Sequence, residues 1–279
     1  MHNKRVDIFQ NVIGLVALDL DGTIMGHDLR ISDRVHQVVR AVQQRDVVVT
    51  LATGRMFSAA LPFAQLLAIT APLICYQGGW IQAPDGGVLR REILPPALVQ
   101  SVLEVAQNRS WHTVVYVDGM IMMEEKRYPQ IFYTQLIGPD VVVQPDLAAV
   151  LQNQPADKML FVAEPEEILN IARFLVPRFG KMAEVFQSHR MLIELVPKSV
   201  NKGQALTWLA AHLQVPRQAV LAIGDQENDI PMIEWAGVGI AMGNAAPAVQ
   251  QVADWTAPTL EQEGAAVALE RFVLREGVP

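Results

Sequence analysis

Short apolar runs that stop abruptly at polar turns constrain this chain more than any other feature. Val12-Ile13-Gly14-Leu15-Val16-Ala17-Leu18 ends at Asp19-Leu20-Asp21-Gly22-Thr23, and Val47-Val48-Val49-Thr50-Leu51-Ala52 ends at Thr53-Gly54-Arg55. Ala219-Val220-Leu221-Ala222-Ile223 ends in the same way at Gly224-Asp225. A continuous apolar run bounded by turn residues reads as a strand buried on both faces, which is the habit of parallel sheets. Between the first two runs, Ser32 is placed to cap a helix whose apolar positions Val35, Val38, Val39 and Val42 follow helical spacing. A further helix and the short strand Leu73-Ile74-Cys75-Tyr76 lead to Gln77-Gly78-Gly79. This alternation predicts an α/β fold with right-handed crossovers.

The middle of the chain has a different pattern. Val114 to Val117, Asp118-Gly119 and Met120 to Met123 form a strand–turn–strand signal, because Asp-Gly suits a type I′ hairpin. Lys158 to Ala163 reads as a strand, Pro165 to Phe179 as a helix and Met191 to Val196 as a strand. Hairpins mixed with helices predict an inserted α+β unit over residues 84–197, inside a parallel-sheet core made of residues 1–83 and 198–279. Alternation resumes there with a helix from Lys202 to Leu213, the strand from Ala219, and a short strand from Gly237 to Ala241.

Bulk properties narrow the function classes. Hydrophobic residues make up 51% of the 279 and charged residues 18%, against roughly 25% charged in an average globular chain. The longest apolar candidate, Leu61 to Cys75, is interrupted by Pro62, Gln65, Thr70 and Pro72, so nothing reaches the ~18 residues of a spanning helix. Met1 to Gln10 is polar and lacks the apolar segment of a secretory signal. Cys75, the single cysteine, excludes an intrachain disulfide and a cysteine-rich zinc site. The expectation is a cytoplasmic protein, a monomer by default. A net charge of −7 without a long Lys/Arg block argues against nucleic acid or an anionic membrane as partner.

If the sheet is parallel, the polar turns lie along one edge and bring Asp19, Asp21, Asp225 and Asp229 into one neighbourhood. Two carboxylates ~4 Å apart repel by roughly 4 kcal/mol at an effective dielectric near 20, so the cluster holds a proton or binds a cation. The candidate ligands are all oxygens, which fits Mg²⁺ better than zinc or an EF-hand calcium. A phosphoryl group would complete such a site, held by the Thr53 hydroxyl, the backbone around Gly54 and the Lys202 ammonium. One aspartate can serve as nucleophile through an aspartyl-phosphate, and a second, two residues on, as acid and base.

Each motif alone has a plainer reading. Asp-x-Asp-Gly is often just a strand-to-turn junction, Thr53-Gly54 a turn, Lys202 a solvated helix start, and Asp225 with Asn228 and Asp229 a helix cap. Gly237-Val238-Gly239 reads as a glycine-bearing strand, since Met242 replaces the third glycine of a dinucleotide loop. There is no P-loop and no Gly-x-Ser-x-Gly. Met120, Met122 and Met123 read as hairpin packing, and His189 and Arg190 as surface residues.

Together, however, the motifs resemble the haloacid-dehalogenase superfamily of phosphatases, in particular its Cof-type branch with a type IIB cap. Asp19-Leu20-Asp21-Gly22-Thr23 matches the DxDGT signature, and Ala52-Thr53-Gly54-Arg55 is similar to the second motif. Lys202 in Asn201-Lys202-Gly203 is similar to the third, and Gly224-Asp225-Gln226-Glu227-Asn228-Asp229 matches GDxxND. Ile240 to Ala245 also resembles a recurrent stretch of these proteins.

The resemblance implies a Rossmann-like core with an inserted cap, and hydrolysis of small phosphorylated metabolites with Mg²⁺. It implies Asp19 as nucleophile and metal ligand, and Asp21 as acid and base with its main-chain carbonyl on the metal. Asp225 would be a metal ligand supported by Asp229, while Leu20, Thr53, Gly54, Lys202 and Asn228 would hold the phosphoryl group. A phosphotransferase or mutase sharing the aspartyl-phosphate is the alternative, and a non-catalytic phospholigand-binding protein a third. Gln77-Gly78-Gly79 departs from the family's usual Asn-Gly-Ala, so the substrate contacts expected near residue 77 do not carry over.

Overall fold

The computed structural model describes residues 12–138, 140–198 and 200–275. The start of the chain that the sequence reads as lacking a signal, Met1 to Gln10, lies outside the described residues. Contacts divide the chain into two units, one of residues 1–89 and 201–279 and one of residues 90–200.

The first unit opens with β1 (Leu15–Leu18), α1 (Asp33–Gln43), β2 (Val48–Leu51), α2 (Phe57–Leu66) and β3 (Leu73–Cys75), then a hairpin of β4 (Trp80–Gln82) and β5 (Val88–Arg91). Ser32 does cap α1, its hydroxyl accepting from the Val35 amide at 3.2 Å. The stripe Val35, Val38, Val39 and Val42 is buried, as an amphipathic helix against a sheet requires. β3, β4 and β5 form a separate three-stranded sheet. The boundary between the two units falls within β5, between Leu89 and Arg90.

The second unit runs through α3 (Pro96–Asn108), β6 (His112–Val117), β7 (Met120–Met123), α4 (Gln130–Leu136), β8 (Val141–Val143), α5 (Leu147–Val150), β9 (Lys158–Val162), α6 (Pro165–Phe179), β10 (Ala183–His189) and β11 (Leu192–Pro197). Its sheet has the order β10-β11-β9-β6-β7-β8. The β6–β7 turn is built as its sequence predicts, since Asp118 (φ 49°) and Gly119 (φ 76°) both lie in the left-handed region a type I′ turn demands. Alternate strand residues Val115, Val117, Met159, Phe161, Ile193 and Leu195 join Leu98, Val102, Ile168 and Leu175 of α3 and α6 in one apolar core. Met122 and Met123 are buried while Met120 is exposed.

The chain then returns to the first unit with α7 (Lys202–His212), β12 (Val220–Gly224), α8 (Ile230–Trp235), β13 (Val238–Ala241), α9 (Pro247–Val252), β14 (Trp255–Thr256) and α10 (Gly264–Leu269). The main sheet has the order β14-β13-β12-β1-β2, every pair parallel. β1 lies between β12 and β2 and is wholly buried, which explains its unbroken apolar sequence. Its last residue, Leu18, pairs with Ile223 on one side and Leu51 on the other. The three apolar runs therefore end level, and a bridge between Ala52 and Ile74 brings the end of β3 to the same edge. No helix among the described residues is long and apolar enough to cross a membrane.

Candidate active site

The level strand ends deliver Asp19, Thr53 and Asp225 to one edge. The amide of Asp19 still donates to Ile223 at 3.0 Å and that of Ala52 to Leu18 at 2.8 Å, so the ladder continues up to Asp19. Lys202 begins α7, which is capped by Asn201 accepting from the Gln204 amide at 2.8 Å. The next residue, Gly203, has no room for a Cβ, which would run into the carbonyl of Pro231. That close approach seats the start of α7 against α8 and brings Lys202 into the interior, 1% exposed. Its Nζ donates to Asp19 Oδ1 and to Asp229 Oδ1, each at 2.6 Å.

The turn after β12 folds on its own last carboxylate. Asp229 Oδ2 accepts from the amides of Asp225 (2.9 Å) and Gln226 (3.0 Å). Asp225 is held by the Thr23 hydroxyl at 3.2 Å and the Gln226 carboxamide at 2.9 Å. Gly22, at φ 87°, passes so near Asp225 that a side chain there would collide with its carboxylate. The Gly22 carbonyl in turn accepts from Asn244 at 2.8 Å, which gives the Ile240–Ala245 stretch its place in the site.

Asp19, Asp225 and Asp229 each present an oxygen within 4.8 Å of the others, and all three are buried. Burial pushes the Asp19 carboxyl well above the usual carboxylate range, Asp229 and Asp225 adding to the effect and Lys202 opposing it. Asp225 is raised for the same leading reason, with hydrogen bonds from Gln226 and Thr23 opposing. Burial alone would lower the Lys202 ammonium, yet Asp19 and Asp229 outweigh it and hold the ammonium protonated. Three buried carboxylates thus face a single buried ammonium. A divalent cation with oxygen ligands fits that charge mismatch and that donor set.

Asp21 stands apart from this cluster. Its carboxylate is exposed and forms a two-pronged ion pair with Arg55, at 2.6 Å to Nη2 and 2.8 Å to Nε. The four-aspartate neighbourhood of the sequence reading is therefore three carboxylates and a separate fourth, because the guanidinium fork two residues beyond Thr53 captures Asp21. Arg55 itself lies 5.4 Å from the ring centre of Phe63, a cation–π distance. Sequence reasoning named no role for Arg55, although it stands within the Thr-Gly-Arg stretch.

Thr53 is buried, its hydroxyl accepting from the Arg55 amide at 3.1 Å. Leu20 is wholly buried between the two aspartates. The turn after β3 is laced to the Thr53–Arg55 loop: Thr53 donates to Ile74, Gln77 to Thr53 and Tyr76 to Arg55. Tyr76 (φ 49°) and Gln77 (φ 59°) both occupy the left-handed region, which costs about 1 kcal/mol or more for each such residue. Gln77 Oε1 accepts from Asn228 Nδ2 at 2.8 Å. Gln77 is the second residue that the sequence did not place, and its departure from the usual Asn was the available signal.

The family model for haloacid dehalogenase-like hydrolases matches residues 16–269. The 5-amino-6-(5-phospho-D-ribitylamino)uracil phosphatase YitU of Bacillus subtilis is 28% identical, over 92% of this chain and 97% of that protein. The HMP-PP phosphatase of Cronobacter sakazakii is 30% identical, over 84% of this chain and 85% of its own length. Among solved structures, a haloacid dehalogenase-like hydrolase from Bacteroides thetaiotaomicron superposes with a TM-score of 0.85 at 28% identity, covering 93% of this chain and 99% of that one. Motifs, fold and relatives agree, and the chain belongs to the haloacid dehalogenase-like hydrolases, among their phosphatases.

Proposed function

We propose that the protein hydrolyses phosphomonoesters of small metabolites through an aspartyl-phosphate on Asp19, with Mg²⁺ as cofactor. The observation that carries this reading is the buried ion cluster: a carboxylate at the end of β1, clasped by an ammonium and facing two further carboxylates. A structural ion pair would be balanced. This one has an excess of buried negative charge beside the nucleophile, an arrangement that stability alone disfavours.

Asp19, Asp225 and the main chain of Asp21 would hold the Mg²⁺, with Asp229 in support through Lys202 and the Asp225 amide. Bound there, Mg²⁺ would neutralise the carboxylates and the phosphoryl oxygens. Thr53, the backbone at Leu20 and Gly54, Lys202 and Asn228 bind and orient the phosphoryl group. The Asp19 carboxylate attacks phosphorus and the bond to the leaving oxygen breaks, Asp21 giving that oxygen its proton. Asp21 then takes a proton from water, which attacks the same phosphorus, releases inorganic phosphate and restores Asp19. Arg55 keeps the Asp21 carboxylate at the site, and one prong of the pair must open for that carboxylate to carry the proton.

Related enzymes act on a phosphorylated ribitylaminouracil and on HMP-PP, by their names, and small phosphorylated metabolites of that kind are the proposed substrate class. Asp19→Asn and Asp225→Asn should each abolish p-nitrophenyl phosphate hydrolysis in Mg²⁺ buffer. Unaltered turnover by a folded Asp19→Asn variant would remove the nucleophile assignment.

A further inference from the structure

Gln77 occupies an expensive position. It is 7% exposed, its backbone is left-handed, and the residue before it is left-handed too. Side chains rarely adopt that conformation in succession unless surrounding contacts impose it. Here the imposing contacts are the laced hydrogen bonds to Thr53 and Arg55. Their result is to lay the Gln77 carboxamide between two loops. Its nitrogen occupies the space that a side chain at Gly54 would fill, and its oxygen takes the Asn228 amide hydrogen at 2.8 Å.

The Asn228 side-chain oxygen is buried and accepts no hydrogen bond. A buried acceptor left unpaired is destabilising, so the present orientation of Asn228 is incomplete. A carboxamide pair is self-complementary. If both side chains turn half a rotation about their terminal bonds, Gln77 Nε2 donates to Asn228 Oδ1, and the Asn228 amino group takes the buried place that its unpaired oxygen now holds. Oxygen and nitrogen simply exchange places within the same space.

We propose that Gln77 is a positioning residue of the phosphoryl site. It pairs with Asn228 so that either end of the Asn228 carboxamide is supported, and phosphoryl binding selects the end that donates. This rests on the assignment of Asn228 to the phosphoryl group. Glutamine suits this pairing on three counts. A shorter asparagine falls a methylene short of Asn228, a methionine offers no partner, and a glutamate can only accept and so holds Asn228 in the orientation that leaves its buried oxygen unpaired.

The test is competitive inhibition by inorganic phosphate, with the full chain in Mg²⁺ buffer, for wild type, Gln77→Met, Gln77→Asn, Asn228→Ala and the Gln77→Met/Asn228→Ala double variant. Each single variant should raise the phosphate inhibition constant about tenfold, the loss of one hydrogen bond to a charged group. The double variant should be no worse than Asn228→Ala alone, because Gln77 acts through Asn228. Circular dichroism and thermal melting establish that each variant is folded, and Gln77→Asn supplies the reading if Gln77→Met is not. Wild-type inhibition in Gln77→Met or Gln77→Asn overturns the proposal. So does a double variant whose loss is the product of the single losses, an outcome that leaves the proposed reaction standing. An unchanged constant in Asn228→Ala removes the phosphoryl role of Asn228 and this proposal together.

Discussion

Lys202→Met removes the one ammonium in the carboxylate cluster, and its consequences can be worked from the distances. At 2.6 Å from Asp19 and from Asp229, each contact amounts to about 6 kcal/mol of attraction at an effective dielectric near 20. Desolvation of the buried groups offsets most of that. Breaking a buried pair by removing one partner costs about 3–5 kcal/mol, because the remaining charges stay buried. Any two of the three carboxylates present oxygens within 4.8 Å of each other, a repulsion of about 3 kcal/mol or more on the same scale, so the variant's folded state is relieved by proton uptake.

The sign with pH follows. The Asp19 carboxyl already sits above its usual value of 3.8 in the folded protein, so its ionisation weakens folding as pH rises from 3.8 through the folded value. Lys202 opposes that rise, so the variant's Asp19 moves further up and its loss of stability grows with pH. Lys202 itself is raised, so its favourable contribution is complete across the neutral range and is lost only as pH passes its folded value. Urea unfolding followed by tryptophan fluorescence, in Mg²⁺-free buffer, should place Lys202→Met about 3–5 kcal/mol below wild type at pH 7.5, with a smaller gap at pH 5. Lys202→Gln, which keeps a donor without the charge, should behave in the same way. A variant within about 0.5 kcal/mol of wild type at pH 7.5, or a gap that widens as pH falls, would refute the reasoning.

Arg55→Ala should slow the hydrolysis of alkyl phosphomonoesters by about 10²-fold, within the range of general acid catalysis, and p-nitrophenyl phosphate much less. Nitrophenolate leaves without a proton, and equal losses on both substrates would exclude action through Asp21. Chelation should lower the unfolding free energy at pH 7.5, and Mg²⁺ at a hundred times its dissociation constant should restore about 2.7 kcal/mol. Asp225→Asn should lose that increment in differential scanning calorimetry. His112 donates nothing to Tyr133, whose hydroxyl accepts the Arg127 and Tyr128 amides and so donates to the imidazole. Burial, with Arg127, pushes His112 down to about 4 from its usual 6.5. Stability should therefore be lost as pH falls from 6.5 to 4, by up to about 2 kcal/mol after solvent screening, and His112→Gln should flatten that part of the urea-unfolding profile.

What the sequence disclosed and what it concealed follow from the same physics. β1, β2 and β12 are legible because a strand buried on both faces must be apolar throughout, and the residues where each run stops are Asp19, Thr53 and Gly224-Asp225. Lys202 and the Asp225–Asp229 turn became legible through their order relative to those stops. β10, with the mixed composition Ala183-Glu184-Val185-Phe186-Gln187-Ser188-His189, carries neither an unbroken run nor clean alternation. β8 is only three residues long. Both are strands because neighbours pair with them. The partnerships of Asp21 with Arg55 and of Gln77 with Asn228 span 34 and 151 residues. They depend on loop conformations that no local spacing encodes.

The roles of the two motif aspartates are a case where environment decides what spacing leaves open. Asp19 and Asp21 are two residues apart, yet one is buried against an ammonium and the other is exposed on a guanidinium fork. Separate surroundings for paired carboxylates are how one site runs two kinds of chemistry. On the proposed reading the buried one must be ionised to attack, and its burial opposes this. Lys202 alone meets three carboxylates, so a further positive charge beside them favours ionisation of Asp19. On the proposed reading, cation binding at Asp19 and Asp225 is therefore coupled to proton release from the cluster. The nucleophile is armed only when the group that will also neutralise the phosphoryl oxygens is in place. A chain folded around an inert ion pair would have no such coupling. Proton release on Mg²⁺ binding, read as a calorimetric enthalpy that depends on buffer ionisation, should be present in wild type and lost in Asp19→Asn. An enthalpy independent of buffer in wild type would separate the cation from the nucleophile.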